Sequence, residues 1–351
     1  MAYTTIDDGS LYFHTQLYTG SGSSGLQVRN NANAGDFTPD WLWVKPRSLA
    51  DNHVLFDSSR GFDKQLKANG NDAEDTHSPA KFTRETNGFD IDSNDQNYNQ
   101  SSATYVAWQW KCNGATTASN SDGGVTGTIQ ANTTAGFSII LYTGTGSTST
   151  VGHGLGDTPD WIIYKRRSGG TRDWMVYHNG TGSKGMILNS NSAGDTASSI
   201  FGGNTPTSTT IPIGHATETN TSSESHIAYA FAEKQGFSKF GSYIGNNNSD
   251  GPFVYTGFKP AWLLVKRTDS GGSDWSLYDS KIGAGNPING RLEPNNNEAE
   301  VTGDYNFDFL SNGFKGRDTP SQMNASGGTY IYMAFAEHPF VSSEGVPTTA
   351  R

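Results

Sequence analysis

Pro39-Asp40-Trp41-Leu42-Trp43-Val44-Lys45 returns as Pro159-Asp160-Trp161-Ile162-Ile163-Tyr164-Lys165 and again as Pro260-Ala261-Trp262-Leu263-Leu264-Val265-Lys266. Side chains alternate across a strand, so Trp41 and Trp43 share one face while Leu42 and Val44 supply an apolar opposite face. A strand apolar on both faces is predicted to be covered on both. Pro suits the first residue of such a strand, because it lacks the N–H that a central ladder position needs. The recurring Lys reads as the strand's return to water. Three occurrences in one chain predict a repeat.

Moving outward, the neighbours recur as well. Tyr142 and Tyr243 stand 19 residues before their Trp, in Leu-Tyr-Thr-Gly and Ser-Tyr-Ile-Gly, and Leu17-Tyr18-Thr19-Gly20 lies slightly further from Trp41. After the Trp come His53-Val54-Leu55-Phe56-Asp57, Trp174-Met175-Val176-Tyr177-His178 and Trp275-Ser276-Leu277-Tyr278-Asp279. A Leu-x-x-Asn follows at Leu66/Asn69, Leu188/Asn191 and Leu292/Asn295. Asn87-Gly88-Phe89 and Asn312-Gly313-Phe314 open a further strand, replaced in the second copy by Ile211-Pro212-Ile213-Gly214. Each copy closes on a strand that puts Val106/Trp108/Trp110, Ile227/Tyr229/Phe231 or Ile331/Met333/Phe335 on one buried face. Ala107, Ala228 and Ala230 leave the other face small, as though a second layer lies close.

Many short strands between Gly/Asn/Ser turns predict an all-β chain: three tandem antiparallel β-sandwich, jelly-roll-like repeats of about 100 residues each. The units are placed at residues 15–112, 136–235 and 236–340, with a Gly/Thr/Asn-rich linker at 113–135. Residues 1–14 and 341–351 read as an N-terminal arm and a C-terminal tail, whose ordering needs a neighbouring unit or a partner.

The 351 residues are only 33 % hydrophobic but 12 % aromatic, a balance that favours strands and long polar loops over helices. A net charge of −10 argues against nucleic acid, which requires clustered Lys and Arg. Cys112 stands alone, so packing must replace an intrachain disulfide. The segment Met1-Ala2-Tyr3-Thr4-Thr5-Ile6 has neither the basic nor the apolar run of a secretory leader, and no run reaches membrane-spanning length. Synthesis in the cytoplasm without membrane insertion is expected. The six Asn-x-Ser/Thr triplets, such as that at Asn132, read as chance in a chain so rich in these residues.

Few segments carry chemistry. Gly20-Ser21-Gly22-Ser23-Ser24-Gly25 has dinucleotide-loop spacing but no helix after it, and reads as a hairpin loop. Asp90, Asp92, Asn94 and Asp95 place oxygens at near-alternate positions and form a weak Ca²⁺ candidate, without the Gly and the terminal acid of an EF-hand loop. A glycosidase pair would have to come from Glu74, Asp75, Asp90, Asp92 and Asp95, all in loops of the first unit. The eight His lack metal-ligand spacing, and Cys112 lacks an identifiable His partner. No catalytic residue and no cofactor is expected. Trp43 and Tyr98, outside the shared pattern, are candidate surface aromatics for stacking on a sugar.

The start Tyr12-Phe13-His14-Thr15-Gln16-Leu17-Tyr18-Thr19-Gly20, the strand Gly257-Phe258-Lys259-Pro260-Ala261-Trp262-Leu263-Leu264-Val265-Lys266-Arg267 and the closing Tyr330-Ile331-Tyr332-Met333-Ala334-Phe335-Ala336-Glu337 together carry a resemblance. They resemble a repeated domain in virion proteins of marine tailed bacteriophages, notably cyanophages and pelagiphages. The resemblance covers residues 12–340 and brings no catalytic residues with it. It implies a non-enzymatic virion structural protein, in a tail fibre or tail-associated, that contributes to host attachment. A capsid-surface decoration or fibre protein and a lectin-like carbohydrate-binding module are the alternatives. The implied partners are other virion proteins, further copies of the chain and a host surface glycan or receptor. Recognition is expected in what the copies do not share, such as Asp90–Asp95 or the connector after Cys112.

Overall fold

A computed structural model describes residues 3–30, 37–194, 198–283 and 285–348. Residues 1–2 of the expected arm and 349–351 of the expected tail lie outside the described residues. The architecture is all-β and antiparallel. The first segment contributes β1 (Phe13–Thr19), β2 (Leu26–Arg29), β3 (Trp41–Pro46), β4 (Val54–Asp57), β5 (Gly61–Lys67), β6 (Asp75–Thr76), β7 (Phe82–Glu85), β8 (Gly88–Ile91) and β9 (Thr104–Trp110). The second contributes β10 (Ala118–Asn120), β11 (Gly127–Asn132), β12 (Phe137–Thr143), β13 (Ser149–Gly152), β14 (Trp161–Arg166), β15 (Met175–His178), β16 (Met186–Ile187), β17 (Thr210–Ile213), a helical turn α1 (Thr217–Asn220) and β18 (Ser225–Phe231). The third has β19 (Ser238–Ile244), β20 (Phe253–Tyr255), β21 (Phe258–Arg267), β22 (Ser276–Asp279), β23 (Ile288–Leu292), β24 (Val301–Leu310), β25 (Gly313–Gly316), α2 (Ser321–Asn324) and β26 (Thr329–Pro339).

One pairing order appears three times. The main sheets run β1-β9-β3-β4-β5, β12-β18-β14-β15-β16 and β19-β26-β21-β22-β23, so the first and last strands of each copy pair and the Pro-x-Trp strand lies next to the last. In register, Trp41 faces Trp110, Trp161 faces Phe231 and Trp262 faces Phe335. A smaller second sheet, β2-β8-β7 or β13-β17, packs on each of the first two main sheets, and in the third copy the same eight-stranded sheet runs on through β24-β25-β20 to supply that layer. Between the layers lie three separate apolar clusters, which take up Leu42 and Ala107, Ala228 and Ala230, or Leu263 and Ala334. The small face of the closing strand is thus covered by its own second layer.

The large faces have a different fate. Trp41, Trp43, Trp108, Trp110, Trp161 and Trp262 join Phe231 and Phe335 in one continuous core drawn from all three segments. Trp41 stacks on Tyr229 with ring centroids 4.6 Å apart, Trp161 meets Trp275 at 5.9 Å, and Trp110 meets Trp262 at 5.8 Å. First meets second, second meets third and third meets first, so the three sandwiches close around a common centre instead of forming a string. All eight Trp are among the largest fully buried side chains. At about 25 cal/mol per Å² over the 150–250 Å² of a large aromatic, each contributes several kcal/mol that a lone unit would leave in water.

The recurring Lys does not mark a return to water. Lys45, Lys165 and Lys266 are fully buried. Each ammonium is capped by backbone carbonyls: Lys45 Nζ donates to Pro46 (2.9 Å) and to Asn297 of the third segment (3.4 Å), Lys165 Nζ to Asn71 of the first (3.0 Å), and Lys266 Nζ to Ser273. Burial pushes each down to about 8. Two of these lysines tie adjacent segments together, a role that alternation within one strand could not reveal.

Two further expectations change, and the N-terminal arm finds the neighbouring unit it was expected to need. Residues 113–135 are not a linker, because β10 and β11 extend the second sheet through β12. Copy two also shifts its Leu-x-x-Asn. Asn69 accepts from His53 N–H (2.9 Å) and Asn295 from Trp275 N–H (2.8 Å), and the residue that accepts from Trp174 N–H (2.9 Å) is Asn189, so Met186/Asn189 replaces Leu188/Asn191. The N-terminal arm lies on the third segment: Ile6 enters the common core and Tyr3 Oη donates to the Gly257 carbonyl (2.7 Å). Among the described residues no helix is long and apolar enough to cross a membrane.

Candidate functional site

The acidic loop does not converge. Asp90, on β8, pairs with Arg29 at 2.6 Å, Asp92 accepts from the Thr83 hydroxyl at 3.0 Å, and Asp95 caps Asn97 through its N–H (2.9 Å) and amide (2.7 Å). Asn94 is exposed. Among the described residues no three His, Cys, Asp or Glu side chains gather as metal ligands. Glu74 is held between Arg60 (3.0 Å) and Arg167 (2.7 Å) across the first two segments. Burial opposes its ionisation, but the Arg167 hydrogen bond and the Arg60 charge outweigh it and hold the carboxyl below its ordinary value. It is a bridge across the seam of the first two segments.

The other sequence candidates are structural too. Gly20–Gly25 leads from β1 into β2 with no helix, and a Cβ on Gly20 would meet the Gln100 carbonyl at 2.2 Å. The Cys112 thiol is buried and donates to the Gln130 carbonyl (2.9 Å), and burial pushes its pKa well up. Trp43 and Tyr98, offered as surface aromatics, are 1 % and 0 % exposed, which removes both from any stacking surface. Among the described residues the exposed aromatics are Phe253 and Tyr255 on the edge strand β20, 47 % and 55 % exposed.

A cavity of about 490 Å³ opens where the third segment closes on the first. This is within the 300–1,000 Å³ range of small-molecule pockets. Phe13 and Thr15 of β1, Ala261 of β21, and Ser280, Lys281 and His338 line it. Buried Asp279 ties two of these together: it accepts from Thr15 Oγ1 (2.6 Å), Trp108 Nε1 (3.0 Å) and Lys281 N–H (2.8 Å), and burial raises its pKa. Lys281 Nζ reaches the Thr15 carbonyl at 2.6 Å. Asp8, also at the cavity, turns Oδ1 back onto the Ser10 N–H (2.9 Å) and hydroxyl (2.6 Å). A second cavity of about 160 Å³ shares Ser280 and adds Lys259 and Asn286. Lys259 and His338 stand opposite each other in the β21–β26 register.

A family model described as a domain of unknown function (DUF7483) matches residues 8–339, which span all three sheets and the closing seam. The chain belongs to this family. No curated protein and no solved structure matches it. The DUF7483 match treats as one unit the body that shares one core.

One signal in the sequence was misjudged. Asn99, Asn220 and Asn324 each begin an Asn-x-Ser, six residues before Tyr105, His226 and Tyr330. Each is fully buried, and each accepts from a glycine-loop N–H, of Ser21 (2.7 Å), Thr145 (2.7 Å) or Asn246 (2.8 Å). Their amides donate to Ser23 and Ser93, to Ser147 and Gly214, and to Asn248 and Asp318. Half of the triplets taken as chance are therefore the repeat's polar pin, visible as a constant spacing before the closing strand.

Proposed function

We propose that the chain is a non-enzymatic structural protein of a tailed-phage virion, in a tail fibre or associated with the tail, that contributes to host attachment. The observation that carries this reading is the closed three-sandwich body. Fusion of three like units around one core gives a rigid, compact block without disulfides, which suits a part of an assembled particle. The family resemblance of the repeat to marine phage virion proteins supports the same reading. Phe253 and Tyr255 offer an apolar strand edge for a neighbouring protein or a further copy.

Decoration of a capsid surface is a second reading, favoured by the pseudo-threefold closure, since such a body complements a local threefold position on a particle. Mass spectrometry of purified virions is expected to find the chain, and labelled particles viewed by electron microscopy are expected to carry the label on the tail. Label on the head selects decoration. Absence from purified particles removes both readings.

A further inference from the structure

The three copies can be compared along the outer edge of their first strands. Phe13, Phe137 and Ser238 pair with Trp110, Phe231 and Phe335 of the closing strands, so Thr15, Ile139 and Phe240 are equivalent. Ser58, Asn179 and Ser280 are equivalent as well, for their N–H groups donate to the Asp40, Asp160 and Ala261 carbonyls. Where the first unit meets the second, β11 fills the seam. It pairs with β12, Gln130 lies opposite Ile139, and the Gln130 amide donates across to Ser58 Oγ (2.9 Å) and Ser59 Oγ (2.8 Å). Where the second meets the third, the turn Asn179–Thr181 packs against β19. Where the third meets the first, β1 ends its sheet, and the turn Gly9–Leu11 before it packs on β26 instead of returning as a strand. The 490 Å³ cavity opens there, lined by Phe13, His14 and Thr15 of β1 and by Ser280 and Lys281, the counterparts of Ser58 and Ser59.

We propose that this groove takes an extended segment of a partner protein, which adds to β1 as an antiparallel strand in the place that β11 holds beside β12, with a Gln or Asn side chain pointed at Ser280. The backbone of β1 is arranged for it. Tyr12 accepts from Lys111 N–H and Gly20 N–H donates to the Ala103 carbonyl, so both face β9, and alternation turns the polar groups of Phe13, Thr15 and Leu17 outward. Two side chains stand in for a strand: Lys281 Nζ donates to the Thr15 carbonyl (2.6 Å) and Gln16 Nε2 to the Leu17 carbonyl (2.8 Å). Among the described residues no hydrogen bond reaches the N–H of Thr15 or of Leu17. An added backbone supplies donors to the carbonyls and acceptors to the N–H groups together, which side-chain donors cannot. Lys281 is exposed, so its ammonium moves into water as the strand enters. An edge lysine also guards against indiscriminate pairing, and the incoming strand must compete with it.

The test uses the whole chain and a labelled peptide with the β11 sequence, residues 125–133, titrated into the millimolar range by fluorescence anisotropy, with hydrogen exchange to locate it. The peptide is expected to bind and to slow exchange at Thr15 and Leu17, and a scrambled peptide to do neither. Gln130→Ala in the peptide is expected to weaken binding several-fold. Lys281→Ser, which places the first copy's residue there, is expected to strengthen it several-fold, and Lys281→Ala to act in the same direction. No binding, binding equal to that of the scrambled peptide, slowed exchange at β12 or β20 instead of β1, or an affinity unchanged by these substitutions overturns the proposal. Binding to the purified chain is read independently of any particle, so this result and the virion reading fail separately.

Discussion

The three positions Tyr105, His226 and Tyr330 show how one site solves the same problem with different chemistry. Tyr105 and Tyr330 accept through their hydroxyls from Gln100 N–H (2.8 Å) and Ala325 N–H (2.7 Å). His226 accepts from Thr221 N–H through Nε2 (3.3 Å), while Nδ1 lies 3.0 Å from the Glu224 carbonyl. Burial pushes His226 down to about 4, and a proton on Nε2 would oppose the Thr221 N–H. His178, also buried, is pushed down to about 4. An unfolded imidazole binds its proton near the ordinary value of about 6.5. Between these pH values the unfolded chain therefore holds more protons, and stability is lost as pH falls from about 6.5 through about 4. Each group contributes on the order of 3 kcal/mol of this loss. His226→Tyr imports the residue of the other two copies, which stacks on its partner Tyr as His226 stacks on Tyr142. Thermal unfolding across this pH range is expected to show a shallower acid limb for the variant, with the folded state kept at neutral pH. An unchanged limb would assign the acid loss to other groups.

At the scale of elements, the turn after the first strand of each copy is set by two coupled features. Gly20, Gly144 and Gly245 leave no room for a side chain, since a Cβ would lie 2.2, 2.1 and 2.3 Å from a backbone carbonyl oxygen. The buried Asn then ties this glycine loop to the turn before the closing strand. Asn220→Ala removes the acceptor for Thr145 N–H and the donor to the Ser147 carbonyl, and strands the buried Gly214 carbonyl. The expected cost is about 2–4 kcal/mol, read as a lower denaturant midpoint with an unchanged m-value. Gly144→Ala is expected to destabilise as well, because the Thr221 carbonyl must move. Strand identity was legible because period-two alternation and aromatic content report a buried face directly. The Asn pin was hidden because its partners are backbone groups of distant loops, and a polar residue in a Ser- and Asn-rich chain looks like solvent-facing loop. The Lys was misread for the same reason: its caps are backbone carbonyls, and two of them, those of Asn297 and Asn71, come from other segments. The candidate cavity was half legible, since Ala261 visibly breaks the Pro-Asp-Trp pattern, but only the closed body shows that Thr15 and Ser280 line it together.

On the scale of the molecule, the difference between a string and a closed ring decides how the protein unfolds. In a string, each sandwich would bury its own faces and melt independently. Here each unit owns one private cluster between its layers and lends its larger face to the common core. The seams add bonds that no single unit can make: Arg47 with Glu300, Arg167 with Glu74, and Trp174 and Trp275 donating to the Lys67 and Ile187 carbonyls of the preceding segment. The chain ends close the circle, for Asp7 accepts from Ser343 N–H at 2.6 Å. Removing one unit exposes the core faces of the other two. The intact chain is therefore expected to unfold in a single calorimetric transition, with van't Hoff and calorimetric enthalpies in agreement. The isolated segment 236–340, expressed alone, should lack a cooperative transition, because Trp262, Trp275 and Phe335 then face water. Trp262→Ala in the whole chain should lower stability by about 3–5 kcal/mol and shift the one transition as a whole. Two resolved transitions in the intact chain, or a cooperatively folded 236–340 segment, would show that the common core is an interface between independent domains instead of the structure that all three units require.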